Sequence, residues 1–469
     1  MMFLEDDKFK DECGVFGIYS KDNLDVATIT YYGLYALQHR GQESGGIAVS
    51  DMNTIKIEKG MGLVSEIFDE NKLNKLKGNI AIGHVRYSTT GASNILNAQP
   101  LLSEFKLGSL AIAHNGNLVN ADIIRDLLED GGCVFQTAID SEVVINLIAR
   151  AYKKGIEKAL LDAVQAIKGS YAIVILTEDK LIGIRDPYGI RPLCIGKIGD
   201  SYILSSESCA LDSIGGEFIR DVEPGEMVVI DEDGLKSIKY HEKTNCKTCA
   251  FEYIYFARPD TTIDGIDVYE SRISAGHELF KEHPVDADIV IGVPDSGLVA
   301  AMGFSQASGI PYGVGFIKNR YVGRTFIAPT QEMREKAVTV KLNVLKVNVQ
   351  GKRVVLVDDS IVRGTTSRKL IYLLKRAGAK EVHFRIAAPV VEYPCYFGID
   401  TPHRDGLIGA RMSVEEIKNE IGCDSLGYLS KEGLLNSLGK EKGFCLGCFD
   451  GIYPVSVPLE VSKDHLEER

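Results

Sequence analysis

A cysteine near the start of the chain lies where a free amino group could be generated beside it. Cys13 stands in DECGVFGIY, after a short acidic leader and directly before a strand-like run. If residues 1–12 are removed, Cys13 carries an α-amino group whose unperturbed pKa is about 8. That amine can accept the thiol proton, so nucleophile and base would belong to one residue. Taken alone, a cysteine at this position is more often a core residue, so the catalytic interpretation depends on other segments of the chain.

Three further segments of the first half supply side chains that suit such a site. GHVRYSTTG contains Arg86, a planar cation that can grip a carboxylate at two points. HNGNL contains Asn115 and Gly116, whose side-chain amide and backbone N–H can stabilise the oxyanion of a tetrahedral intermediate. TAIDSE contains Asp140, an acid that could hold an α-ammonium group. Each residue alone is compatible with a turn, a cap or a surface ion pair, but the combination favours a substrate site.

These segments, in this order, closely resemble the class II glutamine amidotransferase domain, an N-terminal nucleophile (Ntn) hydrolase. The resemblance implies that the Glu12–Cys13 bond is cleaved and that Cys13 attacks the side-chain amide of glutamine. It also brings Arg40 and Gly41 of LQHRGQESGG into the glutamine site. The leader fits the propeptide-bearing variant of the family. The alternative is a leader that stays attached and a domain that is inactive as translated.

A second chemical motif is the run VVLVDDSIVRGTTS, residues 354–367. A buried strand ends in two adjacent acids, Asp358 and Asp359, and is followed by a loop and a helix start. Gly364, Thr365 and Thr366 can offer N–H groups and hydroxyls to a phosphate at the helix N-terminus. Two acids beside a phosphate are consistent with ribose hydroxyls or a hydrated Mg²⁺ as their partners. Helix capping is the alternative, but it explains only one of the two acids.

The run is very similar to the phosphoribosyl pyrophosphate loop of type I phosphoribosyltransferases. The resemblance implies that Asp358 and Asp359 contact the ribose and, with Ser296, hold one Mg²⁺ per subunit. It assigns the 5′-phosphate turn to Ser360, Val362, Arg363, Gly364, Thr365 and Thr366. It assigns the pyrophosphate loop to Pro294, Asp295, Ser296 and Gly297, and a mobile lid to KNRYVGRTFIAP with Lys318, Arg320 and Arg324. A solvated basic loop is the alternative for these three cations.

Two C-x-x-C pairs, Cys246/Cys249 and Cys445/Cys448, lie about 200 residues apart. Without any family resemblance, the two pairs suggest a tetrahedral zinc site. The two halves in this order, however, resemble the glutamine phosphoribosylpyrophosphate amidotransferase family, one branch of which carries a [4Fe–4S] cluster. The matching segments imply ligands at Cys249, Cys395, Cys445 and Cys448. Cys246 is then a bystander or an alternative ligand.

The resemblance implies a reaction in which glutamine, phosphoribosyl pyrophosphate and water give 5-phosphoribosylamine, glutamate and pyrophosphate, the first step of purine synthesis. It also implies a homotetramer and purine nucleotides as feedback inhibitors. One alternative is a glutaminase fused to a sugar-phosphate isomerase, as in glucosamine-6-phosphate synthase. Another is a phosphoribosyl pyrophosphate-sensing regulator without chemistry.

The predicted secondary structure that must position these residues differs between the two halves of the chain. Residues 13–245 contain short apolar strands such as CGVFGIYS and SYAIVILTED, with helices predicted at 25–38, 120–130, 141–153 and 156–166. We expect an α+β domain of stacked sheets with outer helices. Residues 246–469 alternate strand, loop and helix, which predicts a doubly wound parallel sheet with ligand loops at the carboxyl ends of its strands.

Bulk properties restrict the partners. The net charge of −12 disfavours nucleic acid and anionic membrane. The sequence contains no apolar run of membrane-spanning length, its opening residues do not resemble a secretory signal, and its ten cysteines do not form a disulfide pattern. We therefore expect a cytoplasmic protein.

Overall fold

The computed structural model describes residues 12–87, 93–106, 108–241, 245–319, 342–401, 403–439 and 443–457. Within these ranges no helix has the length and apolar character needed to cross a membrane. Arg320 and Arg324, expected in the lid, lie outside the described residues.

The first half contains thirteen strands, arranged in two antiparallel sheets. They are β1 (Gly14–Tyr19), β2 (Ser44–Ser50), β3 (Ile55–Met61), β4 (Ile80–Arg86), β5 (Leu101–Phe105), β6 (Gly108–Leu118), β7 (Gly169–Thr177), β8 (Leu181–Arg185), β9 (Cys194–Ile198), β10 (Ser201–Ser205), β11 (Glu217–Asp221), β12 (Glu226–Asp231) and β13 (Gly234–Lys239). One sheet has the order β11-β9-β10-β1-β4-β2-β3 and the other β13-β12-β8-β7-β6-β5.

Helices cover the outer faces of the two sheets. They are α1 (Val26–Ala36), α2 (Val64–Ile67), α3 (Glu70–Lys75), α4 (Ala121–Asp130), α5 (Ser141–Ala151), α6 (Ile156–Ala166) and α7 (Cys209–Ser213). Phe16 of β1 packs with Leu34 of α1 on one side, and Ile112 of β6 packs with the α4–α6 layer on the other. Val15 and Ala113 meet between the sheets. The expected stacked sheets with outer helices are confirmed, and the four predicted helices end within three residues of those observed.

The second half is built on the parallel sheet β17-β20-β21-β22. Its strands are β14 (Thr248–Cys249), β15 (Thr262–Ile263), β16 (Ile266–Asp267), β17 (Ile289–Gly292), β18 (Phe316–Lys318), β19 (Leu342–Val344), β20 (Arg353–Asp358), β21 (Glu381–Ile386), β22 (Ser425–Tyr428) and β23 (Phe444–Cys445). Its helices are α8 (Val268–Glu282), α9 (Leu298–Ser308), α10 (Lys346–Val349), α11 (Thr365–Arg376), α12 (Ile408–Arg411), α13 (Val414–Ile421), α14 (Lys431–Leu438) and α15 (Gly447–Asp450). A π-helical turn, Glu252–Phe256, precedes α8.

The two ligand loops predicted from sequence lie at one edge of this sheet. β17 and β20 are parallel neighbours, with Gly292 opposite Val357, so their carboxyl ends lie side by side. A side chain at Gly297 would overlap the carbonyl oxygen of Val357 and lie 3.1 Å from the Cα of Asp358. The absence of a side chain there brings the loop after β17 directly against the loop after β20.

Candidate functional site

Strand pairing places Cys13 beside Arg86. β1 and β4 are antiparallel, with Gly14 opposite Val85, so the residue before β1 lies next to the last residue of β4. Both side chains are buried, and Arg86 donates to Glu43 at 2.9 Å. The Cys13 thiol donates to the carbonyl oxygen of Tyr87 at 3.5 Å. Burial raises the pKa of this thiol to about 11, although Tyr87 and Arg86 act to lower it. The thiol therefore needs a proton acceptor to become a nucleophile near neutral pH.

Asn115 faces the same layer from the opposite sheet. Along β6, Ala111 and Ala113 lie in the core between the sheets, and the alternation of a strand directs Asn115 the same way. Nε2 of His84, on β4, is hydrogen-bonded to the backbone carbonyl of His114, on β6, at 3.0 Å. This contact joins the two strands next to Asn115. Among the described residues, the buried Nδ2 of Asn115 has no hydrogen-bond partner. A buried N–H donor without a partner is costly, which is typical of a group that awaits a ligand.

Gly116 adds a backbone donor next to Asn115. The N–H groups of His114 and Leu118 point out of the sheet edge and donate to Gln99 Oε1 at 2.8 Å and Asp140 Oδ2 at 2.9 Å. Alternation along β6 directs the Gly116 N–H to that same edge. Gly116 has a φ of +144°, and a side chain there would overlap a backbone carbonyl oxygen. Only glycine fits this position.

Asp140 is ionised despite burial. It lies at the start of α5, where its carboxylate accepts from Leu118 N and from Ser141 Oγ at 3.3 Å. Burial raises its pKa, but the neighbouring His114 and these hydrogen bonds outweigh burial and leave the pKa lowered. A buried carboxylate that stays charged beside β6 is suited to an ammonium group.

Arg40 and Gly41 occupy different positions around Cys13. Arg40 is fully buried, and its N–H groups donate to the Cys13 carbonyl and to Glu12, Glu207 and Glu252 at 2.5–3.0 Å. All five N–H donors of Arg40 are engaged. The side chain therefore has no free donor for the expected direct contact with glutamine in this arrangement. A side chain at Gly41 would lie 2.7 Å from the backbone of Arg86. Glycine there keeps the loop close to β4.

A buried charge cluster behind Cys13 was missed from the sequence. Glu12 and Glu252 share Arg40 and Arg191, and Arg191 also donates to the carbonyl of Phe397 at 2.9 Å. Burial and the nearby Glu252 raise the pKa of Glu12 well above its usual range. The signal in the sequence was an acid inside the apolar run CAFEYIYFA, because a charge in such a run requires a buried partner.

The tandem acids lie at the expected sheet edge. Asp358 and Asp359 are buried at the end of β20, and Asp359 accepts from Ser360 Oγ at 2.6 Å and from Ser296 Oγ. Asp359 N donates to Asp358 Oδ1 at 2.9 Å. Ser296 thus joins the loop after β17 to the acid pair. Arg272 of α8 is a neighbour that sequence reasoning missed; burial lowers its pKa to about 10, and Asp359 opposes that shift.

The loop after the acids leads into a helix N-terminus. Gly364, with a φ of +85°, precedes the first residue of α11, Thr365, and Thr366 follows. This arrangement presents N–H groups to an anion. Val362 is buried in the core, so its expected contact with phosphate would involve its backbone. Lys318 is exposed and pairs with Asp295 at 2.6 Å, which places both beside the loop after β17.

Four cysteines come together where the two halves meet. Cys249 and Cys445 are register partners in the parallel pair β14–β23. Burial raises the pKa of Cys448, and the thiols of Cys249, Cys445 and Cys395 act on it further. Cys395 Sγ accepts from Phe397 N at 3.3 Å, a contact that also occurs at iron–sulfur ligands.

Cys246 has hydrogen-bond partners outside the set of four thiols. It contacts Thr248 Oγ1 at 3.2 Å and Asp264 Oδ2 at 3.9 Å. Within the described ranges, no three His, Cys, Asp or Glu side chains converge as tightly as one metal ion requires. That Cys246 is a bystander stays a prediction, which its contacts with Thr248 and Asp264 support.

Both halves match known domain families, and the whole chain matches known proteins. Residues 84–213 match a glutamine amidotransferase domain and residues 272–393 a phosphoribosyl transferase domain. The chain is 53% identical over 467 residues to an amidophosphoribosyltransferase of Synechocystis sp., covering 98% of this chain and 94% of that protein. It is 48% identical over 473 residues to the amidophosphoribosyltransferase of Bacillus subtilis, covering 100% and 99%.

Two solved structures are similar along nearly the whole chain. One is described as the allosteric regulatory enzyme of purine biosynthesis; it has a TM-score of 0.93 and 48% identity and covers 97% of this chain and 99% of that chain. The other is glutamine phosphoribosylpyrophosphate amidotransferase from B. subtilis complexed with ADP and GMP, with a TM-score of 0.92, 48% identity and coverage of 97% and 100%.

Proposed function

The chain belongs to the amidophosphoribosyltransferase family, and from that premise we propose that Cys13 releases ammonia from glutamine for transfer to phosphoribosyl pyrophosphate bound at Asp358 and Asp359. The observation that carries the glutaminase assignment is the buried Nδ2 of Asn115, which has no hydrogen-bond partner in the described part of the chain and faces the layer that holds Cys13 and Arg86. The phosphoribosyl transferase match decides against a fusion with a sugar-phosphate isomerase.

Glutamine hydrolysis follows from the chemistry of these side chains. In the proposal residues 1–12 are removed, residues 13–245 form the glutaminase domain and residues 246–469 the transferase domain. The freed α-amine accepts the Cys13 proton, and the sulfur attacks the amide carbon of glutamine. Asn115 Nδ2 and Gly116 N–H donate to the oxyanion, and ammonia departs with that proton. Water then hydrolyses the thioester to glutamate and returns the thiol.

The amino acid end of glutamine needs two further contacts. Arg86 is suited to its α-carboxylate and Asp140 to its α-ammonium group, since both are buried and charged. The absence of a side chain at Gly41 keeps its loop close to β4, the strand that carries Arg86. Arg40 would act through the Cys13 carbonyl and not through the substrate.

The transferase half would hold the second substrate by its ribose and phosphates. Asp358 and Asp359 accept from the ribose hydroxyls, and the turn with Ser360, Arg363, Gly364, Thr365 and Thr366 receives the 5′-phosphate. Asp295 and Lys318 lie beside the pyrophosphate position. Ser296, Asp358 and Asp359 are oxygen donors that suit one Mg²⁺, which when bound would offset the charge of the departing pyrophosphate. Ammonia must arrive uncharged to attack the ribose C1, which favours a dry passage between the halves.

Cys249, Cys395, Cys445 and Cys448 suit a [4Fe–4S] cluster. The four thiols at the junction could hold either metal group, and the resemblance of their segments to the cluster-bearing branch of the family supports iron–sulfur over zinc. Anaerobically purified chain should contain close to four iron and four sulfide per polypeptide. One zinc without sulfide would contradict the assignment.

The remaining partners follow from the family. We propose purine nucleotides as feedback inhibitors, on the basis of the ADP and GMP complex of the B. subtilis protein, and a homotetramer as the assembly. All ten cysteines are unpaired, which supports a reducing cytoplasmic location.

Two nitrogen donors test the proposal. Cys13→Ala should lower glutamine-dependent pyrophosphate release by about 10³-fold or more while leaving ammonia-dependent release near wild type, because only the first needs the thiol. Cys133→Ala, a change of another thiol in the same half, should alter neither rate. Equal loss with both donors in Cys13→Ala would contradict the two-site proposal.

A further inference from the structure

The loop Cys395–Gly398 packs against the strand that carries the oxyanion donors. Asn117 Nδ2, on β6, donates to the carbonyl of Tyr396 at 3.0 Å. Ser170 Oγ, on the neighbouring β7, donates to the carbonyl of Phe397 at 2.8 Å. Two consecutive carbonyls of the loop are therefore tied to two adjacent strands of the glutaminase sheet.

Gly398 lies directly on Gly116. A side chain at Gly398 would lie 3.1 Å from the carbonyl carbon of Gly116 and 3.2 Å from its Cα. It would also lie 3.2 Å from Nη2 of the buried Arg191. Gly398 has a φ of +103°, so the position is doubly restricted to glycine. On its other side, Gly116 is closed in by the carbonyl of Ser170. The backbone of Gly116 is thus held between two neighbours.

The restriction concerns Gly116, whose N–H donates to the oxyanion in the proposed function. Its neighbours on the same strand edge, His114 and Leu118, have their N–H groups committed to Gln99 and Asp140. A donor to an oxyanion contributes only when it is correctly placed for the charge that develops in the transition state. Small displacements in a site have large effects on rate.

We propose that Gly398 is a positioning residue for glutamine hydrolysis: it lets the 395–398 loop close on Gly116 and fixes the direction of the Gly116 N–H. This inference rests on the proposed function, because it assumes that Gly116 serves the oxyanion formed at Cys13. It makes a loop of the transferase half part of the support for the glutaminase centre.

Gly398→Ala tests the proposal in the full-length enzyme. Loss of an oxyanion donor costs on the order of 10²–10³-fold in kcat, so a displaced donor should lower the kcat with glutamine by about tenfold. The KM for glutamine should stay within about twofold, because Arg86 and Asp140 hold the other end of the substrate. Ammonia-dependent turnover should be unchanged.

Two matched variants separate positioning from general strain. Gly422→Ala introduces a side chain at a φ of +78° with nothing within 4 Å, so it should leave both activities unchanged. Asn117→Ala removes the bond to Tyr396 without backbone strain and should lower the kcat with glutamine by about threefold (on the order of the loss of one hydrogen bond). If Gly398→Ala fails to fold or loses its iron, the kcat of Asn117→Ala with glutamine tests the proposal instead.

The proposal is overturned if Gly398→Ala and Asn117→Ala keep the wild-type kcat with glutamine. It is also overturned if they slow both nitrogen donors equally, since that indicates a merely structural role. Failure of the proposed function gives a different result: Cys13→Ala would then retain glutamine-dependent turnover, whatever Gly398→Ala does.

Discussion

The Nε atom of Arg40 donates a hydrogen bond to the backbone carbonyl of Cys13 at 2.9 Å. The other N–H groups of Arg40 reach three buried carboxylates, of which Glu252 belongs to the second half of the chain. Glu207, from the first half, also accepts from the backbone N–H of Arg258 at 3.0 Å. The backbone of Cys13 is therefore held by a charge cluster that lies at the junction between the halves.

We expect Glu207→Gln to destabilise the chain. The buried carboxylate accepts from Arg40, His39, Thr261 and Arg258, and an amide would turn N–H groups toward some of these donors. Breaking a buried ion pair costs about 3–5 kcal/mol, which should appear as a lower urea midpoint. Glu217→Gln, at an exposed position on β11, should leave the midpoint unchanged.

The loss of stability in Glu207→Gln should depend on pH. Burial raises the pKa of Glu207, but His39 and Arg40 outweigh burial and hold it well below its usual range. A lowered folded pKa stabilises the fold fully above the unfolded value of about 4.3, and this stabilisation declines progressively as the pH falls from that value toward the lowered folded pKa. The difference in urea midpoint between wild type and variant should therefore be full at pH 7 and shrink at pH 3.5. A pH-independent difference would assign the loss to packing alone.

Arg86→Lys should weaken glutamine binding. Lysine keeps the charge but cannot make the two-point contact with a carboxylate, and loss of a charge-assisted hydrogen bond costs about 1.5–3 kcal/mol. We expect the KM for glutamine to rise by about ten- to hundredfold, with ammonia-dependent turnover unchanged. Arg125→Lys changes another largely buried arginine of the same half, bound to Glu129 and Thr137, and should not alter KM. An unchanged KM in Arg86→Lys would remove Arg86 from the substrate site.

Alkylation of Cys13 should report the state of the leader. In chains that retain residues 1–12, burial raises the thiol pKa to about 11 from 9.0, so the thiolate fraction at pH 8 is about 100-fold lower than for an ordinary thiol. The iodoacetamide rate at Cys13, followed by mass spectrometry, should rise about tenfold per pH unit from pH 7 to 10. Processed chains should level off near the α-amine pKa of about 8. A plateau below pH 9 in leader-bearing chains would refute this prediction.

Asp359→Asn should impair the reaction with both nitrogen donors. The carboxylate accepts from Ser296 and Ser360, and the amide loses one acceptor and the charge. Glutamine- and ammonia-dependent turnover should both fall by about 100-fold, with a higher KM for phosphoribosyl pyrophosphate. The matched control is Asp288→Asn, which changes an exposed carboxylate before β17 that is paired with Arg353. A loss confined to glutamine would place Asp359 outside the transferase site.

Much of this arrangement was predictable from local patterns. Apolar, β-branched runs of strand length predicted the strands around Cys13 and Asn115. The Ser-, Thr- and Gly-rich loop after Asp359 predicted the start of a helix beyond it. Each such inference needs only neighbours along the chain, because backbone geometry and side-chain alternation are local properties. Parallel strands also end at one edge, which is why the loops with Ser296 and Asp359 were expected together.

The sequence alone therefore determined the two domains, their family and the residue types of both sites. Only the tertiary structure decided that Arg40 is paired with three carboxylates, that Cys246 contacts Thr248 and Asp264, and that Gly398 packs against Gly116. Most of these contacts join residues that are far apart in sequence. Their distances are set by the packing of whole layers, and such packing produces no local periodicity from which the contacts could be predicted.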